Sequence, residues 1–467
     1  MAAPAAAGAA VHDWTRFGFD PARSNSSKAV TGIKAGDLKS LVRQDIDVPG
    51  KVDSSLVYLH DVKVAGKKRD AFFATTSYGR TFALDARTGA RLWTFSPASA
   101  DELEGSPQIT QASPVADRGA RVLYAVSPDG FVRKLRIRDG HQVTTGRWPA
   151  RITRDPSHEK IGTPLNLSGK HVLATTGGYT GDAPPYQGKV ALIDRGDGSV
   201  DRVFNSLCSD RKGVIEPATC SESGSAIWGR GGAVVMPGTR RILVATGDGA
   251  FNGKTHWGDS VLELSPDAKR LLGNWTPKNQ TALETFDTDL GSTAPALMRA
   301  GKRWFALQGG KDGRLRLLRV GDLNGRGKAC DCTGGERQIL EAPGGNGTYT
   351  APAVWRHDGA SWAFVTGLAG GTAAYRLSHG DRPRLHKVWE NGNAGTSPVV
   401  AGGLLWVYSP DGGVEVYRPA TGKSVGRLDS DSGHWNTPVI ADGRVAIPTG
   451  NSNTHLTSGT ITIYRKP

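Results

Sequence analysis

Three short pieces decide the fold: Asp70-Ala71-Phe72-Phe73-Ala74-Thr75-Thr76, Thr81-Phe82-Ala83-Leu84-Asp85 and Arg91-Leu92-Trp93-Thr94-Phe95, parted by turns at Gly79 and Thr88-Gly89. Each is rich in aromatic and aliphatic residues, and glycine turns separate one from the next, the pattern of short strands joined by tight turns. The stretch follows Ser55-Leu56-Val57, an opener in which Ser, Thr or Ala, usually then Pro, precedes an aliphatic residue that starts a strand. The opener recurs at Ser113-Pro114-Val115, Thr163-Pro164-Leu165, Ser225-Ala226-Ile227, Ala294-Pro295-Ala296-Leu297, Ala351-Pro352-Ala353-Val354, Ser397-Pro398-Val399 and Thr437-Pro438-Val439. These are eight openers, about 40 to 70 residues apart, and a period of that size implies a solenoid, a propeller or an array. The seventh repeat shows the same strands and turns in Leu404-Leu405-Trp406-Val407-Tyr408, Asp411-Gly412, Val414-Glu415-Val416-Tyr417 and Thr421-Gly422. Four short strands per repeat describe a propeller blade. No 3.6-residue periodicity is sustained, which excludes a helical solenoid.

The last repeat offers only three strands, ending at Thr460-Ile461-Thr462-Ile463-Tyr464, while Leu41–Val48 precedes the first opener without a blade of its own. That N-terminal strand is expected to complete the last blade and remove the exposed sheet edges. The expected fold is therefore all-β: one eight-bladed β-propeller domain over residues 13–467, its last blade closed by an N-terminal strand. The longest spacings run from the third opener to the fifth. They hold Gly177–Asp182, a loop between Cys208 and Cys220, and Ala250–Gly253, and such insertions map to loops, often on the binding face.

Composition agrees. The 467 residues carry 62 Gly, 26 Pro and a net charge of +14, so the chain is turn-rich and basic. No apolar run approaches the roughly 20 residues of a membrane helix. The basic clusters are short and scattered and no nucleic-acid module is present, so the charge reads as a generally basic surface that can still attract anionic small molecules or wall polymers. The four cysteines lie in two local sets without further metal ligands at suitable spacing. A disulfide between Cys208 and Cys220 is expected, whereas closure within Cys330-Asp331-Cys332 would be strained and stays open. Residues 1–12, small and of low complexity, read as a remnant left after a signal peptide, and with the cysteines they imply a secreted or extracytoplasmic protein.

Ala83-Leu84-Asp85-Ala86-Arg87-Thr88-Gly89-Ala90-Arg91-Leu92-Trp93 closely resembles the repeat of the pyrroloquinoline-quinone (PQQ) propellers, the quinoprotein alcohol dehydrogenase-like superfamily. Asp13-Trp14-Thr15-Arg16-Phe17-Gly18, with Asp20 and Arg23, resembles the start of those proteins. The resemblance implies that the late Trp of a blade packs on the next blade. The superfamily holds both dehydrogenases and cofactor-free binding proteins, so the middle blades must choose. Gly224–Gly229 is similar to the dehydrogenase segment whose Trp is the floor beneath PQQ, which would make Trp228 a stacking partner. Ala245–Asn252 is similar to the metal-binding stretch, with Asp248 where an Asn is usual; a carboxylate still suits calcium. Glu284–Gly291 resembles the segment of the catalytic Asp, implying Asp287 as base and Asp289 as an added carboxylate of the lanthanide type. If the segment is a strand, both face one side and reach one cation. Gln308–Gly313 is similar to the segment whose Lys or Arg contacts the quinone, implying Lys311. Thr163 is a further expected cofactor contact, and Asp182 stands near the usual metal-binding Glu. Each of these residues also has a plain reading as a packing Trp, a turn Asp or a hairpin Lys.

The departures are as informative. Glu102–Pro107 lacks the adjacent cysteines many of these dehydrogenases place over PQQ. No Asn-Trp pair marks the later blades, Asn346 being a substitute, and no haem-attachment motif is present. Three functions follow. One is a dehydrogenase with PQQ and a calcium or lanthanide ion that oxidises a small-molecule alcohol and passes electrons to a separate acceptor. The second is a cofactor-free propeller that binds a secreted partner. The third is an enzyme using the funnel for other chemistry, for which His60, His158, His256, His357 and His434 give no Ser-His-Asp order.

Overall fold

The computed structural model describes residues 12–467; the expected signal-peptide remnant lies outside them but for its last residue. The chain forms eight four-stranded antiparallel sheets, the blades of a propeller. Blade 1 comprises Val57–Val64, Lys67–Thr75, Thr81–Asp85 and Arg91–Phe95. Blades 2 to 7 follow in chain order, each a consecutive four-strand meander. Blade 8 takes Val439–Ala441, Arg444–Pro448 and Gly459–Arg465 from the end of the chain and Val42–Val48 from its start. The pairing runs antiparallel from Val42 opposite Arg465 to Val48 opposite Gly459, so the N-terminal strand closes the ring as its sequence implies.

Strands deep in a blade are covered on both faces by neighbouring blades. Thr81–Asp85 and Leu404–Tyr408 are therefore buried along their length. In the outer strand Arg91–Phe95 only Trp93 is buried, and Arg91 and Thr94 are exposed.

The repeat around Ala83–Trp93 now has a physical account. Asp85 caps its own turn by accepting the N–H groups of Arg87 and Thr88. Trp93 donates its indole N–H to Ile137 O in blade 2 at 2.9 Å. A β-carbon at Gly140 of that blade would lie 2.4 Å from the Trp93 ring, so only glycine leaves the ring room. Trp148 and Trp389 repeat the bond to the next blade, at Gly196 O (3.3 Å) and Pro419 O (2.8 Å). Turn glycine and late tryptophan are thus two halves of one interblade joint.

One opener is misread. In the fourth repeat the first strand is Val234–Val235, not a strand starting at Ser225. Gly231 at φ 106° and Gly232 at φ 55° break the extended backbone, and Ser225–Arg230 loops over the end of the barrel instead.

Residues 14–30 run under the blades at the end where first and second strands turn. Trp14 pairs with Tyr58 of blade 1, and the carbonyls of Thr15, Pro21, Ser24, Asn25 and Val30 accept from Ala116, Val235, Val354, Val400 and Asp442. Arg16 adds Asn166 of blade 3 at 2.9 Å. The segment therefore ties seven blades into one floor. Arg23, 3% exposed, donates to the carbonyls of Phe17, Pro164, Leu165 and Gly231.

Both disulfides form, Cys208–Cys220 and Cys330–Cys332. No described helix is long and apolar enough to cross a membrane.

Candidate functional site

A cavity of about 540 Å³ opens at the end of the barrel opposite the floor. Its lining comes from the lead-ins to first strands, which carry Gln111, Lys160, Trp228, Arg230 and Trp435, and from turns between second and third strands, which carry Asp182, Asp248, Lys311 and Asn453. Asp287 and Asp289 enter from the link between blades 4 and 5. Residues more than a hundred positions apart in sequence thus meet in one space of the size usual for small-molecule sites.

Six of the seven residues singled out from sequence line this cavity: Trp228, Asp248, Asp287, Asp289, Lys311 and Asp182. Thr163 does not. Its hydroxyl is bonded to Thr175 at 2.5 Å, and the residue is buried against Gly232. Asn346 is exposed and outside the lining. Asp287 and Asp289 lie on no strand. A short helix, Gln280–Thr285, ends before Asp287, which takes φ 49°, and a 3-10 turn, Leu290–Ser292, follows. The loop turns both carboxylates inward, so the strand argument for their pairing is replaced by a turn.

Lys311 is the hub of the acidic wall. Its Nζ lies 2.5 Å from Asp287 and 2.6 Å from Asp289, and 5.7 Å from the centre of the Trp228 ring. Burial opposes the ammonium charge, but Asp289 and Asp287 outweigh it and hold the Lys311 pKa above the ordinary value. Asp289, 3% exposed, also accepts the Asp248 N–H at 2.6 Å. Asp248 is pushed up by burial and then by Asp289. Asp182 at the mouth is raised by burial and by Asp289, against the opposing hydrogen bond from Tyr186 at 3.1 Å. Behind this wall Asp259, pushed up to about 8 mainly by burial, accepts the Leu290 N–H at 3.0 Å. Oxygens of Asp248, Asp287 and Asp289 lie within 4.8 Å of one another. Three carboxylates so close suit a hard cation.

Gly247 sits where this cluster is tightest. A β-carbon there would lie 2.1 Å from Asp289 Oδ1 and 3.2 Å from Trp228 Nε1. The Gly-Asp-Gly turn serves the close approach of the link to blade 4.

The other wall is basic, and its residues were not foreseen. Lys160 and Arg230 line it and are held from one side chain and its backbone: Lys160 donates to Gln111 Oε1 at 3.2 Å and Arg230 to Gln111 O at 3.1 Å. Burial lowers Lys160 to about 8 and Arg230 to about 10. Gln111 is braced by Ser452 at 2.9 Å, whose hydroxyl bonds the buried Asp53. His434 bonds the same Asp53 oxygen at 2.8 Å. Ser and His thus converge on one carboxylate, which is not the Ser-to-His relay of a nucleophilic triad. His256 instead accepts the Cys208 N–H, beside the disulfide.

The family model for outer membrane protein assembly factor BamB matches residues 29–206, less than half of the chain. No curated protein matches the chain in sequence. Among solved structures, quinohemoprotein alcohol dehydrogenase from Comamonas testosteroni is 14% identical with a TM-score of 0.68, over 97% of this chain and 80% of that one. A europium-containing methanol dehydrogenase is 12% identical with a TM-score of 0.70, over 97% and 98%. BamB from Moraxella catarrhalis is 15% identical with a TM-score of 0.54, over 91% and 99%. At these identities the likeness is one of fold.

Proposed function

We propose that this eight-bladed propeller of the PQQ type is an extracytoplasmic quinoprotein dehydrogenase that oxidises a small alcohol. The observation that carries the reading is the meeting of Trp228, Asp248, Asp287, Asp289 and Lys311 in one cavity. The all-oxygen set of Asp248, Asp287 and Asp289 fits calcium or a lanthanide. Trp228 offers an aromatic plane beside the Lys311 ammonium, which suits a flat, electron-poor ring with carbonyl oxygens at its edge. Bound PQQ would supply the hydride acceptor, and the cation the Lewis acid beside it. Asp287, the most exposed of the three carboxylates, is the base that takes the hydroxyl proton at its carboxylate oxygen. Lys311, held cationic, keeps Asp287 oriented and stabilises negative charge at the ring edge. Asp289 positions Lys311 and the Asp248 backbone together. Electrons leave to a separate acceptor. The two disulfides support an oxidising compartment.

A second reading, a cofactor-free scaffold for a secreted partner, is favoured by one observation: the Lys311 ammonium pairs with both Asp287 and Asp289 and so partly neutralises them from within the chain. Titration of the purified protein with PQQ, with calcium and then a lanthanide present, separates the two by tryptophan fluorescence. Saturable, metal-dependent quenching that is lost in Trp228→Ala supports the dehydrogenase. No binding at micromolar PQQ with either metal leaves the scaffold.

A further inference from the structure

The seam where the ring closes carries a side-chain cluster that the central cavity does not use. His12 stands just ahead of the floor segment, His60 and Asp70 lie on the first two strands of blade 1, and Asp442 sits in the turn between the first two strands of blade 8. The imidazole rings of His12 and His60 stack with their centres 4.4 Å apart. Both turn Nδ1 to the Asp442 carboxylate, at 2.6 Å from Oδ1 and 3.1 Å from Oδ2 respectively. The three residues offer donor atoms within 4.8 Å of one another. A tetrahedral zinc ion with bonds of about 2.0–2.1 Å holds its donors about 3.3 Å apart, inside that range.

Two details set this cluster apart from an ordinary hydrogen-bond network. His60 Nδ1 lies 3.0 Å from Asp70 and 3.1 Å from Asp442, yet it is aligned for a hydrogen bond with neither and has no other partner among the described residues. Asp70 is paired with Arg444 at 3.1 Å, whereas the Asp442 carboxylate meets only the two histidines and no lysine or arginine among the described residues. The groups are also held in place. Tyr58 donates its hydroxyl to Asp442 Oδ2 at 2.8 Å. The His60 backbone is pinned by its N–H to Asp13 at 2.8 Å and by its carbonyl, which accepts from Arg118 at 2.7 Å. Supports of this kind orient metal ligands. The side chains of His12 and His60 keep 31% and 41% of their surface exposed, so the cluster borders solvent.

We propose that His12, His60 and Asp442 bind one zinc ion, with the fourth position open to solvent, and that the ion staples the start of the floor segment and blade 1 to blade 8. Two imidazoles and one carboxylate suit zinc, whereas calcium takes oxygen donors alone. The site lies at the floor end of the ring, opposite the cavity of Asp248, Asp287 and Asp289, so it stands whichever function that cavity has.

The test is a zinc titration of the intact, EDTA-stripped protein by isothermal titration calorimetry. One tight site is expected. His12→Gln and His60→Gln should each weaken it by at least about tenfold, since even a lost supporting group costs that much. Asp287→Asn, at the opposite end, should leave it unchanged. Zinc at about a hundred times its dissociation constant should raise the melting temperature by about 3 °C, and His60→Gln should abolish the rise. Cobalt(II) in place of zinc should give the intense visible absorption of a four-coordinate ion. No binding at micromolar zinc, binding unchanged in both histidine variants, or binding lost in Asp287→Asn instead would overturn the site. The weak spectrum of six-coordinate cobalt in the unaltered protein would overturn it as well, and that measurement needs no variant to fold.

Discussion

Arg23→Met tests whether the floor segment holds the ring together. Methionine keeps the apolar stem and the β-carbon, so the φ of 57° at this position is no more strained than before. What is lost is four hydrogen bonds, to Phe17 O at 2.6 Å, Pro164 O at 2.8 Å, Leu165 O at 2.9 Å and Gly231 O at 3.0 Å. Each buried carbonyl left without a donor costs about 1 kcal/mol or more. Against this stands the burial of the guanidinium, which pushes its pKa well below the ordinary arginine value and is relieved in the variant. The balance is a destabilisation of about 3–4 kcal/mol. A chain of this length has an unfolding entropy of about 1 kcal/mol/K, so the melting temperature should fall by about 3–4 °C. Differential scanning calorimetry and a guanidinium chloride titration would read it. A melting temperature within about 1 °C of the unaltered protein would mean that the floor contributes little to the ring and that the reasoning is wrong.

Two further perturbations probe the acidic wall. Asp259 is pushed up to about 8 in the fold, mainly by burial, from near 4 when unfolded, so it stabilises the fold fully below about pH 4 and loses that stability as pH rises through about 8; Asp248, raised by burial and by Asp289, acts in the same direction. The unfolding free energy from urea titration should therefore fall between about pH 5 and 8, by up to about 1.4 kcal/mol per pH unit from Asp259. Asp259→Asn should flatten the slope, and an unchanged slope would show that Asp259 is ionised throughout. Gly247→Ala drives a methyl group into Asp289 Oδ1 and should weaken terbium binding, read by luminescence excited through Trp228, by about tenfold or more. Equal terbium affinity in the variant would remove Asp289 from the cation site.

The fold was legible because each blade states itself locally. Asp85, Gly89 and Trp93 lie within one turn and two strands, and their joint to the next blade repeats with Trp148 and Trp389. The acidic wall was legible for a related reason: Trp228, Asp248, Asp287 and Lys311 sit in short runs whose neighbours, Gly-Asp-Gly and Lys-Asp-Gly, are themselves informative. Lys160 and Arg230 carry no such context. Their interest lies in burial without a full set of partners, a property of the assembled barrel that no spacing records. Arg230 was hidden further by the misread fourth opener, since a strand at Ser225–Ile227 would have carried it down the barrel instead of over its end. Thr163 failed for the opposite reason. It obeys the opener rule, and that rule turns its hydroxyl into the barrel, to Thr175.

Ring closure has a kinetic consequence. Asp45 receives the hydroxyl of Thr462, a residue 417 positions later, and Asn25 in the floor reaches Ala351, 326 positions later. Contacts so far apart in sequence slow folding, because the long intervening loop must close before they form. The ring cannot lock during synthesis: the strand that seals blade 8 is made early and must wait, unpaired, for a partner made hundreds of residues afterwards. Until then the blades form an open arc with two bare ends. The same delay leaves the unsealed arc exposed to edge-to-edge association. Folding yield should therefore depend on how quickly the two distant strands meet.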